Sequence, residues 1–344
     1  MARALITGGA GFIGSHLAGE LVDRGDRVTV LDDLSTGSPD NLSCLHSATG
    51  FRFVEGSVLD ESLVDQLVRE ADVVYHLAAA VGVDWILRHP LRSLETNIRG
   101  TEHILRACDA GSKRVLIAST SEVYGKNDKG GLAEDDDRVY GASRLSRWFY
   151  AAAKSIDESF ALAYWQERRL PVTIVRFFNT VGARQTGRYG MVVPRFVRQA
   201  LCNQPITVFG DGQQTRCFTN VHDVVRSVVA LVDNSDTSGE LFNIGQPNEI
   251  PIIDLAERII TLTNSRSEIV LVPYDHADAY GARAAGFEDM RRRVPDVSKL
   301  RRYIGWSPQT PLDTTLQQVI DYQRSLLGGT SHTDSSIASR AGAA

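Results

Sequence analysis

Short apolar runs alternate with segments of helical periodicity along the first half of the chain. The run "ALIT" near the start is uninterrupted, as expected of a strand buried on both faces. After a glycine-rich break, Ile13, Leu17 and Leu21 recur at helical spacing, and Gly25 stands where such a helix would end. The next run, "RVTVLDD", has the pattern of a second strand that ends in acidic residues. This order predicts a βαβ unit.

The same alternation continues as far as residue 125. "FRFVEGS", "DVVYHLAAAVG" and "RVLIASTSEVYG" have the pattern of strands, and "SLVDQLV" and "TNIRGTEHILRACDAG" have that of helices. Strands that alternate with helices predict a doubly wound parallel sheet. Because ligands of such sheets bind at the carboxyl ends of the strands, we expect Thr120, Ser121 and Glu122 to line the site.

The second half of the chain has a weaker alternation and more arginine. "VVPRFVRQAL" and "IPIIDLAERIITLT" have a helical period, and "GELFNIG" has the pattern of a strand. We expect a cofactor-binding domain over residues 1–180, on which residues 219–245 pack, and a smaller C-terminal substrate-binding α/β domain over residues 181–327. Residues 328–344 are rich in Gly, Ser, Thr and Ala, which predicts a disordered tail.

Three glycines between the first strand and the first helix are spaced Gly8-x-x-Gly11-x-x-Gly14. Without a Cβ, the backbone can turn sharply, approach a diphosphate and pack its helix against the sheet. The helix N-terminus then offers free N–H groups to the anion. Asp32, at the end of the second strand, is placed to accept hydrogen bonds from ribose hydroxyls and would repel a 2′-phosphate. The pattern favours a Rossmann fold that binds NAD rather than NADP.

The composition is that of a globular enzyme, with 43% hydrophobic and 23% charged residues. A formal net charge of −5 argues against nucleic acid as a partner. The cysteines (Cys44, Cys108, Cys202 and Cys217) form no Cys-x-x-Cys pair, so we expect neither disulfides nor a metal. No run is apolar enough to span a membrane, and the first strand begins too near Met1 for a signal peptide to precede it. The expected location is therefore the cytoplasm.

Tyr150 and Lys154 stand four residues apart in a segment of helical period, so their side chains project from one face. An ammonium close to a phenol stabilises the phenolate. A tyrosine in that setting can take a proton from a sugar hydroxyl while a hydride leaves for the cofactor. Thr120 or Ser121 can hold the same hydroxyl. The glycine motif, the hydroxyl-bearing strand end and this pair together favour an NAD-dependent enzyme acting on a sugar alcohol.

These motifs resemble the extended short-chain dehydrogenase/reductase family. "TGGAGFIGSHL", "HLAAA", "TNIRGT", "STSEVYG" and Tyr150-x-x-x-Lys154 carry the resemblance, which runs from about Arg3 to Gln323. Within that family, "STSEVYG", "RWFY…K", "QQTRCFTNVHD" and "FEDMRRRVPD" are similar to the UDP-glucuronic acid decarboxylases. The resemblance implies tightly bound NAD, a UDP-sugar substrate and a homodimer.

The resemblance also implies which residues contact the cofactor and the substrate. The expected cofactor contacts besides Tyr150 and Lys154 are Gly8, Gly11, Phe12, Ile13, Gly14, Asp32, Asp33, Ser35, Thr36, Gly37, Ser57, Val58, Leu77, Ala78 and Ala79. The expected substrate contacts are Asn179, Arg184, Arg188, Val193, Val208, Phe209, Arg216 and Arg293. Among them, Arg216 would hold the diphosphate, because a planar guanidinium suits phosphate oxygens, and Val208 and Phe209 would flank the uracil.

Glu122 favours decarboxylation. Once C4 of a uronic acid is a ketone, the carboxylate on C5 is β to a carbonyl and can leave as carbon dioxide. The resemblance implies Thr120, Ser121, Tyr150, Lys154 and Glu122 as catalytic residues, together with Arg293 opposite the sugar carboxylate. We expect Glu122 to repel that carboxylate and destabilise the ground state, so that Glu122→Gln retains cofactor reduction but slows carbon dioxide release.

Several alternatives stay open at the level of the sequence. The product is UDP-xylose, a released UDP-4-keto-xylose, or both. A 4-epimerase of UDP-glucose or UDP-glucuronate would use the same Tyr150, Lys154 and Thr120, and a non-catalytic dinucleotide sensor would keep the fold alone. Three positions depart from the family pattern: Ser57 replaces an Asp, Ala183 a Pro and Met191 an Arg for which Arg188 could compensate.

Overall fold

A seven-stranded parallel sheet forms the centre of the computed structural model, which describes residues 1–80, 88–187, 191–273 and 290–329. The described strands are β1 (Arg3–Thr7), β2 (Arg27–Asp32), β3 (Phe51–Glu55), β4 (Val73–His76), β5 (Arg114–Thr120), β6 (Val172–Phe177), β7 (Thr180–Val181), β8 (Ile206–Phe209), β9 (Thr215–Cys217), β10 (Thr219–Asn220), β11 (Glu240–Ile244), β12 (Glu249–Pro251) and β13 (Ile269–Val272). The α-helices with described bounds are α1 (Phe12–Asp23), α2 (Glu61–Glu70), α3 (Pro90–Ala110), α4 (Phe149–Arg168), α5 (Val192–Leu201), α6 (Val221–Asp233), α7 (Ile252–Thr263), α8 (Ser298–Ile304) and α9 (Leu312–Gly329).

The order of the strands in the central sheet is β3-β2-β1-β4-β5-β6-β11, and every neighbouring pair is parallel. The first six strands have the order of a dinucleotide-binding Rossmann sheet. The predicted α/β fold with a doubly wound parallel sheet is therefore confirmed. The strand order reverses between β1 and β4, and ligands of open parallel sheets bind where such a reversal opens a crevice.

Successive residues of each strand face two different apolar cores. In β1, Ala4 and Ile6 pack with residues of α1, α6 and α8, whereas Leu5 packs with residues of α2, α3 and α4. Helices therefore cover both faces of the sheet. Strands buried on both faces need apolar side chains at every position, which explains the uninterrupted run "ALIT".

A third apolar core lies beyond the sheet. It includes Phe196 of α5, Val208 of β8, Leu255 of α7 and Leu316 of α9. Three pairs of short strands accompany it, namely β10-β7, β12-β9 and β13-β8. After β10, the chain returns to the central sheet through α6 and adds β11 beside β6.

Two element boundaries differ from the pattern in the sequence. The helix expected from Thr96 begins at Pro90. Proline suits the first turn of a helix, because an N–H group there would have no partner within the helix. Within this helix, Asn97 lies against the chain after β4, where its Oδ1 accepts a hydrogen bond from Ala80 N at 2.8 Å. At the other end, α9 continues through Gly329, so the tail expected from residue 328 begins as helix; residues 330–344 lie outside the described residues.

None of the described helices has the length and apolar character needed to cross a bilayer.

A buried ion pair joins the sheet to α4. Arg176 of β6 donates from Nε and Nη2 to the two carboxylate oxygens of Glu158, each at 2.8 Å, and the two side chains are 5% and 3% exposed. Ser119 of β5 donates to the same carboxylate at 2.6 Å, and Arg176 also donates to the Glu134 carbonyl at 2.9 Å. Because both charges are desolvated, the loss of either side chain would leave the other as a poorly compensated buried charge and would destabilise the fold.

Replacing Arg176 by Met should lower the free energy of unfolding by about 3–5 kcal/mol, because the buried Glu158 would keep only the exposed Arg138, 3.9 Å away, as a charged partner. Urea unfolding followed by circular dichroism measures this loss. The matched control is Arg258→Met, which breaks an exposed pair with Asp313 and should cost about 0–1 kcal/mol. Equal losses in the two variants would contradict the assignment of Arg176 and Glu158 to the stabilising core.

Candidate active site

A cleft of about 530 Å³ opens at the carboxyl ends of the central strands. One wall is formed by the ends of β1, β2, β4, β5 and β6, and the opposite wall by α5 and residues from β8 to β9. The cleft therefore lies between the sheet and the third apolar core, at the position expected for the ligand of an open parallel sheet.

The glycine-rich turn between β1 and α1 leaves no room for a side chain at Gly8 or Gly14. Gly8 has φ +72°, and a Cβ there would lie 2.7 Å from Ala78 N. A Cβ on Gly14 would lie 2.3 Å from the Gly8 carbonyl oxygen. Gly11 immediately precedes α1, and the first turn of α1 carries no acidic residue. Exposed N–H groups at this helix end fit the diphosphate of a dinucleotide.

Asp32 lines the cleft next to this turn. Its Oδ2 accepts a hydrogen bond from Ala10 N at 2.9 Å and its Oδ1 one from Leu34 N at 2.8 Å, so the carboxylate also holds the glycine-rich turn in place. Burial raises the pKa of Asp32, and these hydrogen bonds oppose the shift. Each oxygen keeps a second lone pair, and the group can accept a ribose hydroxyl as well.

Most of the residues expected at the cofactor line the same cleft. Besides Asp32, Tyr150 and Lys154, they are Gly8, Gly11, Phe12, Ile13, Gly14, Asp33, Ser35, Thr36, Val58, Leu77, Ala78 and Ala79. Two others lie outside its wall. Gly37 packs against Ala10, where a Cβ would come within 2.9 Å of the backbone, and Ser57 Oγ accepts a hydrogen bond from Leu59 N within a turn. Both support the walls rather than form them.

All six expected catalytic residues line the cleft together: Thr120, Ser121, Glu122, Tyr150, Lys154 and Arg293. The strand β5 ends at Thr120, whose Oγ1 accepts a hydrogen bond from Glu122 N at 3.2 Å. This cap starts a 3₁₀ turn over Ser121–Tyr124 and turns Glu122 toward the cleft. Glu122 therefore does not lie on the far side of the strand.

Two arginines clamp the Glu122 carboxylate. Arg147 Nη1 donates to Oε2 at 2.5 Å, and Arg293 Nη1 donates to Oε1 at 2.6 Å. Arg293 also approaches Ser121 Oγ at 3.3 Å. Burial alone would raise the pKa of Glu122, but the charges of Arg293 and Arg147 outweigh it and hold the pKa well below its ordinary range. Glu122 is thus ionised and charge-compensated, so it repels a second carboxylate less than a bare anion would.

Arg147 was not among the expected site residues. It lies in a short 3₁₀ turn over Ser146–Trp148, immediately before α4, and its side chain is 7% exposed. Its place three residues before Tyr150 was the available signal in the sequence, because residues three apart share a face of a helical turn.

Lys154 is paired with a residue of its own helix. Its Nζ donates to Asp157 Oδ2 at 2.9 Å, and among the described residues no hydrogen bond joins it to Tyr150. Burial raises the pKa of Tyr150, and the charges of Glu122 and Asp157 raise it further. In the chain alone these groups favour the protonated phenol.

The opposite wall carries part of the expected substrate site. Asn179, Val193, Phe209, Arg216 and Arg293 line the cleft. Val208 does not, because its side chain is fully buried in the third apolar core. Arg184 does not either, since its Nη2 reaches Cys44 Sγ at 3.7 Å. Arg188 lies outside the described residues.

Arg195 is a further residue of this wall that sequence reasoning missed. Its guanidinium lies 4.5 Å from the centre of the Phe209 ring, and its Nη1 donates to Thr207 Oγ1 at 2.9 Å. Burial lowers the pKa of Arg195 to about 10. A partly desolvated cation stacked on an aromatic ring is suited to a ligand that combines a flat base with phosphates. Met191 also lines the cleft.

Comparison with known proteins shows similarity over nearly the whole chain. The family model of GDP-mannose 4,6 dehydratase matches residues 5–319. UDP-N-acetyl-alpha-D-glucosaminuronate decarboxylase of Bacillus cytotoxicus is 44% identical over 94% of this chain and 98% of its own length. UDP-glucuronic acid decarboxylase 1 of Danio rerio is 36% identical over 93% of this chain and 72% of its own.

Solved structures of related enzymes have the same fold. The UDP-glucuronic acid 4-epimerase from Bacillus cereus, in complex with UDP-glucuronic acid and NAD, is 28% identical with a TM-score of 0.84, covering 94% of this chain and 99% of its own. The UDP-glucose 4-epimerase from Thermotoga maritima with UDP-glucose is 30% identical with a TM-score of 0.83, at the same two coverages.

Glu122→Gln should destabilise the protein at neutral pH by up to about 3–5 kcal/mol, because two buried guanidiniums would lose their anion. Since folding lowers the pKa of Glu122, its contribution is present above the ordinary glutamate value of about 4.3 and is lost as the pH falls through the folded-state pKa. The difference in unfolding free energy between the wild type and the variant should therefore shrink below about pH 4.3. Urea titrations at a series of pH values measure it, with the exposed Glu257→Gln as control. A pH-independent difference would be inconsistent with an ionised Glu122.

Proposed function

Because the chain belongs to the GDP-mannose 4,6 dehydratase family, whose model matches residues 5–319, we propose that it is an NAD-dependent decarboxylase of a UDP-linked uronic acid. The substrate is UDP-glucuronic acid or its 2-acetamido analogue, the acids in the names of the decarboxylases from Danio rerio and Bacillus cytotoxicus. From UDP-glucuronic acid the product is UDP-xylose, UDP-4-keto-xylose or both. One observation carries the proposal: the Glu122–Arg147–Arg293 cluster lies in the same cleft as Tyr150 and Lys154.

The glycine-rich turn, the N-terminus of α1 and Asp32 together fit NAD. NAD, when bound, supplies the acceptor that oxidises C4 of the sugar to a ketone and later the donor that reduces it. As a phenolate, which the positive charge of the nicotinamide would favour, Tyr150 is placed to take the proton of the C4 hydroxyl. Thr120 is placed to hold the same oxygen.

Decarboxylation follows from the ketone. The bond between C5 and the carboxylate breaks, carbon dioxide leaves, and the electron pair moves into an enolate whose charge rests on the C4 oxygen. Thr120, Ser121 and the protonated Tyr150 can donate hydrogen bonds to that oxygen as its charge grows. The raised pKa of Tyr150 supports this role, since only the protonated phenol can donate. A proton then returns to C5, for which Arg293 or a water molecule that it positions is the proposed donor.

Arg293 is suited to hold the carboxylate of the substrate. Its side chain is 5% exposed, and its Nε has no hydrogen-bond partner among the described residues. A buried N–H donor without an acceptor costs free energy, which a ligand oxygen would recover. A neutral hexose offers no carboxylate to this group, and the arrangement therefore supports a uronic acid.

A 4-epimerase is the second candidate. The similarity to the 4-epimerase from Bacillus cereus favours it, and that reaction needs the same tyrosine, lysine and hydroxyl. The two reactions differ in the mass of the product. Decarboxylation removes one carbon dioxide, whereas an epimerase returns the substrate with its carboxylate intact.

The purified protein, incubated with NAD and either UDP-glucuronic acid or UDP-N-acetylglucosaminuronic acid, should release a nucleotide sugar that is lighter by one carbon dioxide. Mass spectrometry of the nucleotide sugars checks this outcome. Tyr150→Phe should lower the rate by about 10²–10⁴-fold, as expected for loss of a general acid–base group. Arg293→Ala should lower it by at least about 10²-fold, since misplacement of the carboxylate alone has that effect.

Arg292→Ala is the matched control for Arg293→Ala. Arg292 is adjacent in sequence, is 47% exposed and pairs with Glu249, so its removal should leave turnover almost unchanged. Recovery of the uronic acid with all its carbon and an inverted C4 would identify the epimerase instead.

We further propose the division of the chain into a cofactor-binding domain over residues 1–180, with 219–245 packed on it, and a substrate-binding domain over 181–327. The separate third apolar core and the return of β11 to the sheet support it. A cytoplasmic location is supported by four free cysteines, two of them exposed, which persist as thiols in a reducing compartment.

A homodimer is proposed from exposed apolar residues on two packed helices. Ile156 and Phe160 of α4 are 42% and 36% exposed and stand four residues apart on one face, and Leu91 of α3 is 68% exposed. α3 packs against α4. A second copy of the chain bound at this surface would remove these apolar side chains from water.

Phe160→Glu should shift the protein from dimer to monomer, because a charge in an apolar interface is not compensated. Light scattering after size-exclusion chromatography measures the mass. Leu326→Glu, on the exposed side of α9 at 49% exposure, is the control and should leave the mass unchanged. A wild-type protein that is monomeric at micromolar concentration would refute the proposed dimer.

A further inference from the structure

Asn243 is a fully buried residue of β11, and its side-chain amide contacts three segments that lie far apart in the sequence. Its Oδ1 accepts a hydrogen bond from the Tyr124 hydroxyl at 2.7 Å. Its Nδ2 donates to the Leu132 carbonyl at 2.8 Å and to the Asp296 carbonyl at 3.3 Å. One planar group therefore ties these segments together, with its acceptor on one side and its donors on the other.

The first segment carries Glu122. Tyr124 is the last residue of the 3₁₀ turn that contains Glu122. The Tyr124 side chain is buried and packs in a small apolar cluster with Leu132 and Phe178. Its hydroxyl bond to Asn243 therefore fixes the end of the turn that presents Glu122 to the cleft.

The other two segments meet beside Arg293. Leu132 N donates to the Val294 carbonyl at 2.7 Å, and Asp296 N donates to the Leu132 carbonyl at 2.8 Å, so the two stretches form a parallel bridge. The Leu132 carbonyl accepts the bond from Asn243 Nδ2 as well. The residue that follows Arg293 is therefore tied to Leu132, and through Leu132 to Asn243.

The backbone around Asn243 leaves little space for movement. A Cβ on Gly245, two residues further along the chain, would lie 2.7 Å from Pro295 Cγ and 2.8 Å from Phe178 Cβ. Asn243 N donates to Glu134 Oε1 at 2.8 Å, and β11 itself pairs with β6 in the central sheet. Asn243 is thus a fixed point for the segments that its amide joins.

We propose that Asn243 is a positioning residue of the active site, which sets the separation between Glu122 and Arg293. It acts on Glu122 through Tyr124 and on Arg293 through Leu132. The inference rests on the proposed function, in which Glu122 and Arg293 face the carboxylate on C5 of the sugar. A shift of either segment would misplace that carboxylate relative to the ketone, and such misplacement is enough to slow a reaction severely.

The groups that oxidise C4 are held in a different way. Thr120 pairs with Phe177 in the ladder between β5 and β6, and Tyr150 and Lys154 belong to α4. Loss of the Asn243 amide should therefore slow the release of carbon dioxide more than the transfer of hydride to NAD. A role confined to folding would give no such difference, because an unfolded fraction lowers both rates equally.

Two variants separate positioning from stability. Asn243→Leu removes the acceptor of the Tyr124 hydroxyl and should destabilise the protein, whereas Tyr124→Phe/Asn243→Leu replaces both partners by apolar groups and should recover most of that loss. Both variants should release carbon dioxide about 10²-fold more slowly than the wild type, yet reduce bound NAD at a similar rate. Stopped-flow absorbance of the reduced cofactor and trapping of carbon dioxide from UDP-glucuronic acid measure the two steps. Recovery of decarboxylation together with stability in the double variant would overturn the proposal.

A second measurement needs no substrate. Glu122→Gln should cost less unfolding free energy in the Asn243→Leu background than in the wild type, because the ion pair with Arg293 is already misaligned there. Urea titrations of the wild type, the two single variants and their combination measure this coupling, and additive losses would overturn the proposal. Failure of this test is distinguishable from a wild type that releases no carbon dioxide, which would contradict the proposed function.

Asn234→Leu is the matched control. The Asn234 amide also joins separate segments, since its Nδ2 donates to the Tyr303 carbonyl at 3.0 Å and its Oδ1 accepts a hydrogen bond from Asp236 N at 2.9 Å. It lies beside Arg114 at the amino end of β5, at the opposite edge of the sheet from the cleft. This variant should lower stability but leave the ratio of carbon dioxide release to NAD reduction unchanged.

Tyr124→Phe is the substitute if Asn243→Leu does not fold. It removes a single hydroxyl and keeps the aromatic ring in its apolar cluster. Decarboxylation should again fall more than NAD reduction, by a smaller factor than in Asn243→Leu. An equal decline of the two rates in Tyr124→Phe would overturn the proposal.

Discussion

The parallel alignment of the central strands is the constraint on which the rest of the molecule depends. Parallel strands present all their carboxyl ends at one edge of the sheet, and their connections must cross over through helices on the two faces. The glycine-rich turn, Asp32, the Thr120–Glu122 segment and Asn179 all come from such ends, although more than 170 residues separate the first from the last. The cleft is therefore a consequence of strand direction, and its chemistry depends on which residues end each strand.

The buried charges around this cleft form groups that each contain both acidic and basic side chains. Arg176 and Glu158 lie within the protein and hold β6 to α4, whereas Lys154 lines the cleft and binds the fully buried Asp157. Glu122 with its two arginines lies in the cleft itself. Desolvation makes each charge costly alone, and pairing restores most of that free energy. A ligand carboxylate that enters the cleft can therefore compete with Glu122 for the guanidinium groups of Arg147 and Arg293.

The same arrangement relates decarboxylation to epimerisation. In the proposed function, Tyr150, Lys154 and Thr120 serve oxidation at C4, which both reactions need. We propose that the cluster of Glu122, Arg147 and Arg293 serves a carboxylate on C5, because a neutral substituent would give the guanidiniums no second anion to bind. In this proposal, the fate of the 4-keto sugar depends on the residues around C5 more than on the residues that form the ketone.

The sequence by itself determined the fold class, the glycine-rich turn, the strand that ends at Thr120 and the spacing of Tyr150 and Lys154. Each of these is a local property, because a strand buried on both faces, a turn without Cβ atoms and a helical spacing are written in adjacent residues. Only the tertiary structure decided that Arg147 and Arg293, 146 positions apart in the numbering, converge on one carboxylate, that Arg195 stacks on Phe209, and that Val208 turns into a core. It also decided that Lys154 binds Asp157, because charges pair by distance and burial, and neither quantity can be obtained from the order of residues along a chain.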